Sequence, residues 1–255
     1  MIENNFSTKS KTAVQEATAQ SEIIINNVSY STESLISSYS SIYNKYTKRI
    51  IGLVLSLIAI IILSPLLIFI SIAVAMETGF PVFYHAERGG YKGKTFKIFK
   101  FRSMVKNADK IGGGTTALND SRITRVGNVL RKTKLDETAQ LFNIVKGEMS
   151  FVGPRPELIQ YTSNYSEIEK NILNVRPGLT DYSSLKFINL DEIVGGKNVD
   201  EMFEKYVLKE KNYLRLKYVA YVSFKTDVRL FFETVCMVIK KAFRVLFQRN
   251  KKTNK

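Results

Sequence analysis

Asp136 and Glu137 are the residues best placed to do chemistry in this chain. They are adjacent carboxylates inside Lys132–Gly153. Arg122, Arg125, Arg131, Lys132 and Lys134 precede the pair, and Gly153-Pro-Arg-Pro156 follows it. Thr133 is placed as an N-cap, with Asp136 three residues on in the acidic position of a capping box. Leu135, Phe142 and Ile144 or Val145 then recur at near-helical spacing, and Gly147 is placed to stop the element. The pattern predicts a helix whose first turn holds both acids beside unpaired backbone N–H groups, which favour anions. Capping alone is a common reason for such a pair. Two acids among so many cations point instead to a site where carboxylate, phosphate and a divalent metal meet.

The whole chain shares that bias. Its 255 residues hold 38 Lys and Arg against 23 Asp and Glu, a net charge of +15. Such a balance points to phosphate, on nucleic acid or on an anionic membrane. The single cysteine, Cys236, makes no internal disulfide, fits a reducing compartment and is expected in the core. The single histidine, His85, excludes multi-histidine zinc sites and weakens any Ser-His scheme; it reads as an ordinary polar strand residue.

The elements that must position the acids lie on both sides of them. Residues 1 to about 45 are rich in Ser, Thr, Asn and Gln, which predicts a tail that is disordered or only locally ordered, and they lack a signal-peptide pattern. From Ile50 to Met76 no residue is charged. As a helix this run is roughly 40 Å long, more than the ~30 Å of a bilayer's hydrocarbon. Lys45, Lys48 and Arg49 precede it, and Arg88, Lys92, Lys94, Lys97, Lys100, Arg102 and Lys106 follow. Positive charge stays cytoplasmic, so both flanks prefer one side. Ser64-Pro65 sits at the midpoint, where proline deletes a backbone hydrogen bond and Ser64 can satisfy the freed carbonyl. A re-entrant helical hairpin broken at Ser64 and Pro65 meets both conditions; a straight span does not.

Pro81 to Arg102 reads as two strands round a Gly-rich turn. Gly93-Lys94-Thr95 is no P-loop, because Arg88 stands where the first glycine belongs and a strand follows. Ile111-Gly-Gly-Gly-Thr-Thr116 predicts a flexible loop, Glu157–Leu173 an amphipathic surface helix and Tyr206–Leu216 a charged one. From Asp227 onward, Phe231, Val235, Val238, Ala242 and Val245 share a helical face opposite Arg229, Glu233, Lys240 and Arg244. A helix of this kind suits a membrane interface or the flank of a catalytic domain.

Seven motifs in order, Ser64-Pro65 and the six after it, carry a resemblance. Ser64-Pro65 in its apolar run is followed by Lys100-Phe-Arg-Ser-Met104, Asp120-Ser-Arg-Ile-Thr-Arg-Val-Gly127, Leu135-Asp-Glu137, Lys146-Gly-Glu-Met-Ser150, Gly153-Pro-Arg-Pro156 and Val175-Arg-Pro-Gly178. From about Thr47 to about Arg244 the chain resembles the bacterial sugar transferases, the monotopic polyprenyl-phosphate phosphoglycosyl transferases. Asp181-Tyr-Ser-Ser184 departs from the Gly-Leu/Trp-Ala-Gln segment of many members, which bears on the sugar and nucleotide pocket.

The resemblance implies an enzyme that moves a phosphosugar from a UDP-sugar to polyprenyl (undecaprenyl) phosphate and releases UMP. This is the first membrane step of capsule, exopolysaccharide, O-antigen or glycoprotein glycan assembly. It implies Asp136 as nucleophile, Glu137 binding Mg²⁺ (or Mn²⁺) with it or positioning the incoming phosphate, and the re-entrant hairpin at Ser64-Pro65. Arg131, Lys100, Arg102, Arg155 and Arg176 are the expected phosphate and nucleotide contacts. The expected location is the cytoplasmic face of the bacterial inner membrane. Downstream glycosyltransferases would take the product, and a homodimer stays open.

The expected fold is α/β, mostly helical and membrane-associated. It divides into a variable segment 1–46, a re-entrant membrane helix 47–77, a catalytic domain 78–200 and C-terminal amphipathic helices with a basic tail 201–255. A membrane-tethered nucleic-acid binder competes on charge alone, but no helix-turn-helix, RRM or zinc-finger pattern supports it, and no nucleic-acid partner is expected. A catalytically silent scaffold for glycan enzymes competes too, against the intact acid pair.

Overall fold

The computed structural model describes residues 30–108, 120–188, 190 and 199–252. Residues 1–29 and the expected loop at Ile111–Thr116 lie outside them. Among the described residues the protein is mostly helical, with two small two-stranded sheets and one long apolar helix.

That helix, α2 (Lys48–Thr78), follows α1 (Thr32–Tyr39) and a π turn at Tyr43–Thr47. Among the described residues it is the one helix long and apolar enough to cross a membrane. Lys48, Gly52, Ser56, Leu67, Ile70 and Val74 are buried, with Ala59 and Leu63 packed between them. Steps of three and four residues put these on one stripe along the whole helix. Its other faces expose Ile50, Val54, Ile58, Ile61, Ile62, Phe69, Ile72 and Met76. The helix continues through Ser64-Pro65 rather than parting there. Pro65 has no N–H for the Ile61 carbonyl, and Ser64 Oγ donates to it at 2.8 Å instead, the compensation expected from the sequence.

The expectation of a loose tail up to about residue 45 fails from residue 30 on. Ser31 caps α1, Leu35 is fully buried, Ser38 Oγ donates to Ala220 O at 2.7 Å, and Tyr43 donates to Asp227 Oδ2 at 2.6 Å. The N-terminal segment is held by the C-terminal helices, a partnership no local pattern encodes.

The strand hairpin forms as expected. β1 (Phe83–Gly89) pairs antiparallel with β2 (Thr95–Phe101), Tyr84 opposite Lys100. The organising helix does not form as one piece. α3 (Arg125–Thr133) ends at Lys134, whose φ of 61° is left-handed; a 3-10 turn spans Leu135–Gln140, and α4 (Leu141–Lys146) follows to Gly147. Thr133 is no N-cap: it is the last residue of α3, and its hydroxyl donates back to Val129 O at 2.7 Å.

Beyond α4, β3 (Ser150–Val152) runs parallel to β4 (Gly178–Thr180). A Cβ on Gly153 would lie 2.3 Å from Arg176 O, and one on Gly178 2.2 Å from Gly153 N. Only glycine lets the two Pro-containing turns approach this closely.

Glu157–Leu173 is not a helix but a single turn, α5 (Ile159–Thr162), and a 3-10 turn at Glu169–Asn174. Ser163 and Asn164 side chains bond Gln160 O at 3.2 and 2.9 Å and compete with the helical ladder, while Glu157 turns inward. α6 (Tyr182–Lys186) and α7 (Val199–Phe203) are short. α8 (Lys209–Ala220) is charged, as expected, but Glu210, Lys211 and Arg215 are buried rather than solvated. α9 (Phe224–Lys252) buries Asp227 and Leu230 and exposes Phe232, Ile239 and Phe243. Cys236 is exposed on the outer face of α9, against the expected core position, while Thr234 and Lys241 on either side of it still bond the body at Thr180 and Ile188 O.

Candidate active site

Asp136 and Glu137 begin the 3-10 turn that the left-handed Lys134 sets off from α3. The turn lies against β2, and Asn143 of α4 fixes the two together. Asn143 Nδ2 donates to Lys97 O at 2.8 Å, and its Oδ1 accepts from Phe99 N at 2.9 Å. Lys100, one residue on, is thereby held with its Nζ 3.2 Å from Glu137 Oε1.

Arg155 bonds the same oxygen from the other side. Its Nη1 donates to Leu179 O at 3.0 Å, and its backbone N–H to Asp181 Oδ2 at 3.2 Å. Asp181 is fully buried and caps α6, accepting from Ser184 N at 2.7 Å and from the Ser183 and Ser184 hydroxyls. The segment that departs from the family pattern thus supports Arg155.

Two cations meet Glu137 at Oε1; Asp136 Oδ1 has no such partner. Asp136 is 5% exposed, and its Oδ1 has no hydrogen-bond partner. A buried oxygen left this way costs on the order of 1–3 kcal/mol until something binds it. Burial pushes the Asp136 carboxyl up, the Glu137 charge adds to it, and Lys100, Lys134 and Arg131 only partly oppose them. Burial pushes Glu137 up as well, but Arg155, Lys100 and Lys134 outweigh it and hold that carboxyl well below the usual range. The environment drives neighbouring acids apart, a pattern that separates chemical roles.

Asp136 lines a cleft of ≈ 710 Å³ together with Arg88, Lys100, Arg102, Lys106, Arg122 and Arg131. One carboxylate among six cations suits an extended phosphate-bearing ligand. Among the described residues no three His, Cys, Asp or Glu side chains gather as metal ligands. The donor set nonetheless fits a magnesium-like ion, which takes one or two carboxylates and completes its shell with substrate phosphates and water.

Of the expected site residues, Asp136, Glu137, Lys100 and Arg155 come together, and Arg131 and Arg102 line the same cleft. Arg102 Nη1 reaches Gly79 O at 3.3 Å, at the end of α2. Arg176 is not brought to the cleft. Its Nε donates to Gly147 O at 3.3 Å, its guanidinium lies 4.7 Å over the Tyr91 ring, and it shares a separate crevice with Lys48 and Arg49. Sequence reasoning missed Arg88, Asn143 and Asp181. Asp181 alone left a signal, an Asp-x-x-Ser cap pattern.

Known proteins resemble this chain over most of its length. The chain is 34% identical to UDP-glucose:undecaprenyl-phosphate glucose-1-phosphate transferase of Escherichia coli (strain K12), over 75% of this chain and 40% of that protein. It is 32% identical to UDP-N-acetylgalactosamine-undecaprenyl-phosphate N-acetylgalactosaminephosphotransferase of Aeromonas hydrophila, over 76% of this chain and 44% of that protein. It is 39% identical to exopolysaccharide production protein ExoY of Sinorhizobium fredii (strain NBRC 101917 / NGR234), over 52% of this chain and 66% of that protein. The chain spans less than half the length of the first two. The model of the bacterial sugar transferases matches residues 43–241, and the chain belongs to that family.

Proposed function

We propose that this protein transfers a sugar-1-phosphate from a UDP-sugar to undecaprenyl phosphate and releases UMP. The observation that carries this reading is Asp136, a buried carboxylate with an unpartnered Oδ1 that lines a cationic cleft beside the end of an apolar helix. The Asp136 carboxylate attacks the sugar-bearing phosphorus, a P–O bond forms, and the P–O bond to UMP breaks with UMP leaving. An oxygen of the lipid phosphate then attacks the same phosphorus, the bond to Asp136 breaks, and the carboxylate is regenerated. Lys100 and Arg131 face the diphosphate and screen its repulsion of the attacking carboxylate. Arg155 fixes Glu137, which fixes the charge beside Asp136. Asp136 and Glu137 would hold a divalent cation, Mg²⁺ or Mn²⁺, which when bound neutralises developing charge on the diphosphate.

The same reading makes α2 a monotopic membrane element. Its buried stripe packs on the body along all of its length, and Glu77 at its end accepts from Arg125 and Val126 N–H at 2.8 and 2.9 Å. That both ends pack on one body supports placing both on the cytoplasmic face, with the exposed apolar faces of the helix entering lipid. The relatives act on different sugars by name, glucose in one and N-acetylgalactosamine in another. A panel of UDP-sugars with undecaprenyl phosphate and Mg²⁺, read by UMP release and by mass spectrometry of the lipid, tests the reading. No UMP from any donor would refute it.

A further inference from the structure

The cleft has two different ends. Tyr84, Ala86 and Arg88 of β1 and Ile98 and Lys100 of β2 alternate onto one sheet face and form its floor. Tyr84 pairs with Lys100, the residue that meets Glu137, so this register lies beside the acids. On one side of it the floor continues to Arg88 and Leu158. On the other it reaches Phe80 and Pro81, directly after the end of α2.

This second end has its own chemistry. Phe80 is 77% exposed, Tyr84 44% and Val105 42%, and all three line the cleft. The apolar surface they offer continues that of α2, where Met76 is 83% exposed. Two cations stand at the same place. Arg102 donates to Gly79 O at 3.3 Å, and a Cβ on Gly79 would lie 3.5 Å from Lys106 Nζ. An apolar rim continuous with a lipid-facing helix, backed by two cations and leading to Asp136, matches a phosphate on a long hydrocarbon chain. A nucleotide sugar offers such a rim only its uracil face, whereas a prenyl chain is apolar along its whole length.

We infer that the Phe80–Tyr84–Val105 rim is the entrance for the lipid acceptor. The prenyl chain lies across these side chains, and its phosphate passes Arg102 and Lys106 to reach Asp136. The inference rests on the proposed reaction, names the route of its second substrate, and leaves the Arg88 end to the donor.

Full-length protein in nanodiscs, wild type and Phe80→Ser/Tyr84→Ser, tests it with undecaprenyl phosphate and with geranyl phosphate, whose short chain cannot cover the rim. The KM for undecaprenyl phosphate should rise about tenfold in the double variant, the loss expected for two apolar contacts. The KM for geranyl phosphate and for the UDP-sugar should move less than twofold, and Phe80→Leu should keep most of the wild-type value. An equal rise for both acceptors would make the rim a membrane anchor only. A rise confined to the UDP-sugar would make it a uracil platform. Either result, or no change, overturns the inference. Equilibrium binding of both prenyl phosphates without donor reads the same contrast independently of turnover. If wild type releases no UMP but binds the long chain preferentially through the rim, the reaction fails and the entrance stands.

Discussion

Two buried ionic clusters in this protein are built alike and finished differently. Glu157 meets Lys211 at 3.1 Å and Arg215 at 2.5 Å, and Glu137 meets Lys100 and Arg155 in the same manner. Each is a carboxylate between two cations drawn from distant parts of the chain. Each leaves one buried polar atom unpaired, Arg215 Nε in the first and Asp136 Oδ1 beside the second, but only the second borders the large cationic cleft, which Asp136 and Lys100 line. Shared construction shows that ion pairing holds both regions in shape. On the proposed function, access to the cleft is what makes one of them a reactive centre.

The contrast breaks or sharpens most strongly at Asp136. Asp136→Asn should cut UMP release by roughly 10³-fold or more, the scale for loss of a nucleophile. Its melting temperature should hold or rise, because a neutral amide avoids the cost of a buried charge. A melting temperature that falls with activity would make Asp136 structural and erase the distinction.

Glu157→Gln should do the reverse, leaving two buried cations without their anion at about 3–5 kcal/mol of stability. Burial pushes Glu157 up, but Lys211 and Arg215 outweigh it and hold the carboxyl at about 2. A folded pKa depressed from 4.5 to about 2 contributes about 3 kcal/mol that is present above pH 4.5 and lost as pH falls through about 2. Denaturant titrations of wild type and variant should therefore differ by a constant amount near neutrality and converge in acid. A gap that persists in acid would mean Glu157 acts by packing alone.

Asp181→Ala should have an intermediate effect, loosening Arg155 and lowering kcat/KM by roughly tenfold with little change in lipid binding. The smallest effect is on pH. The Glu137 charge helps hold the Asp136 carboxyl up, so Glu137→Gln should move the acid limb of the residual UMP-release profile to lower pH. A limb that stays in place or moves upward would show that Glu137 does not set the ionisation of its neighbour.

What the sequence made legible depended on near neighbours: the hairpin, the density of cations, the stop at Gly147 and the Ser64 bond across Pro65. The rest depended on distance or on a rare backbone state. Lys134 adopts a left-handed conformation with no glycine or asparagine to mark it, so α3, the 3-10 turn and α4 read as one helix from Thr133. Glu157 turns inward because its partners arrive 54 and 58 residues later. Arg176 resembles Arg155 in its local Arg-Pro setting, yet the close approach of Gly153 and Gly178 places it toward Gly147 rather than the acids.

The stripe on α2 has a consequence for how this protein can be taken apart. One half of it covers Phe101, Leu130 and Ala139; the other covers Ile98, Leu141 and Ile144. A polypeptide starting at Gly79 would therefore be no liberated soluble enzyme but a house with a wall removed, its two interiors open to water. The long apolar helix is masonry and not merely a mooring line, and grafting another helix in its place would require rebuilding both rooms behind it.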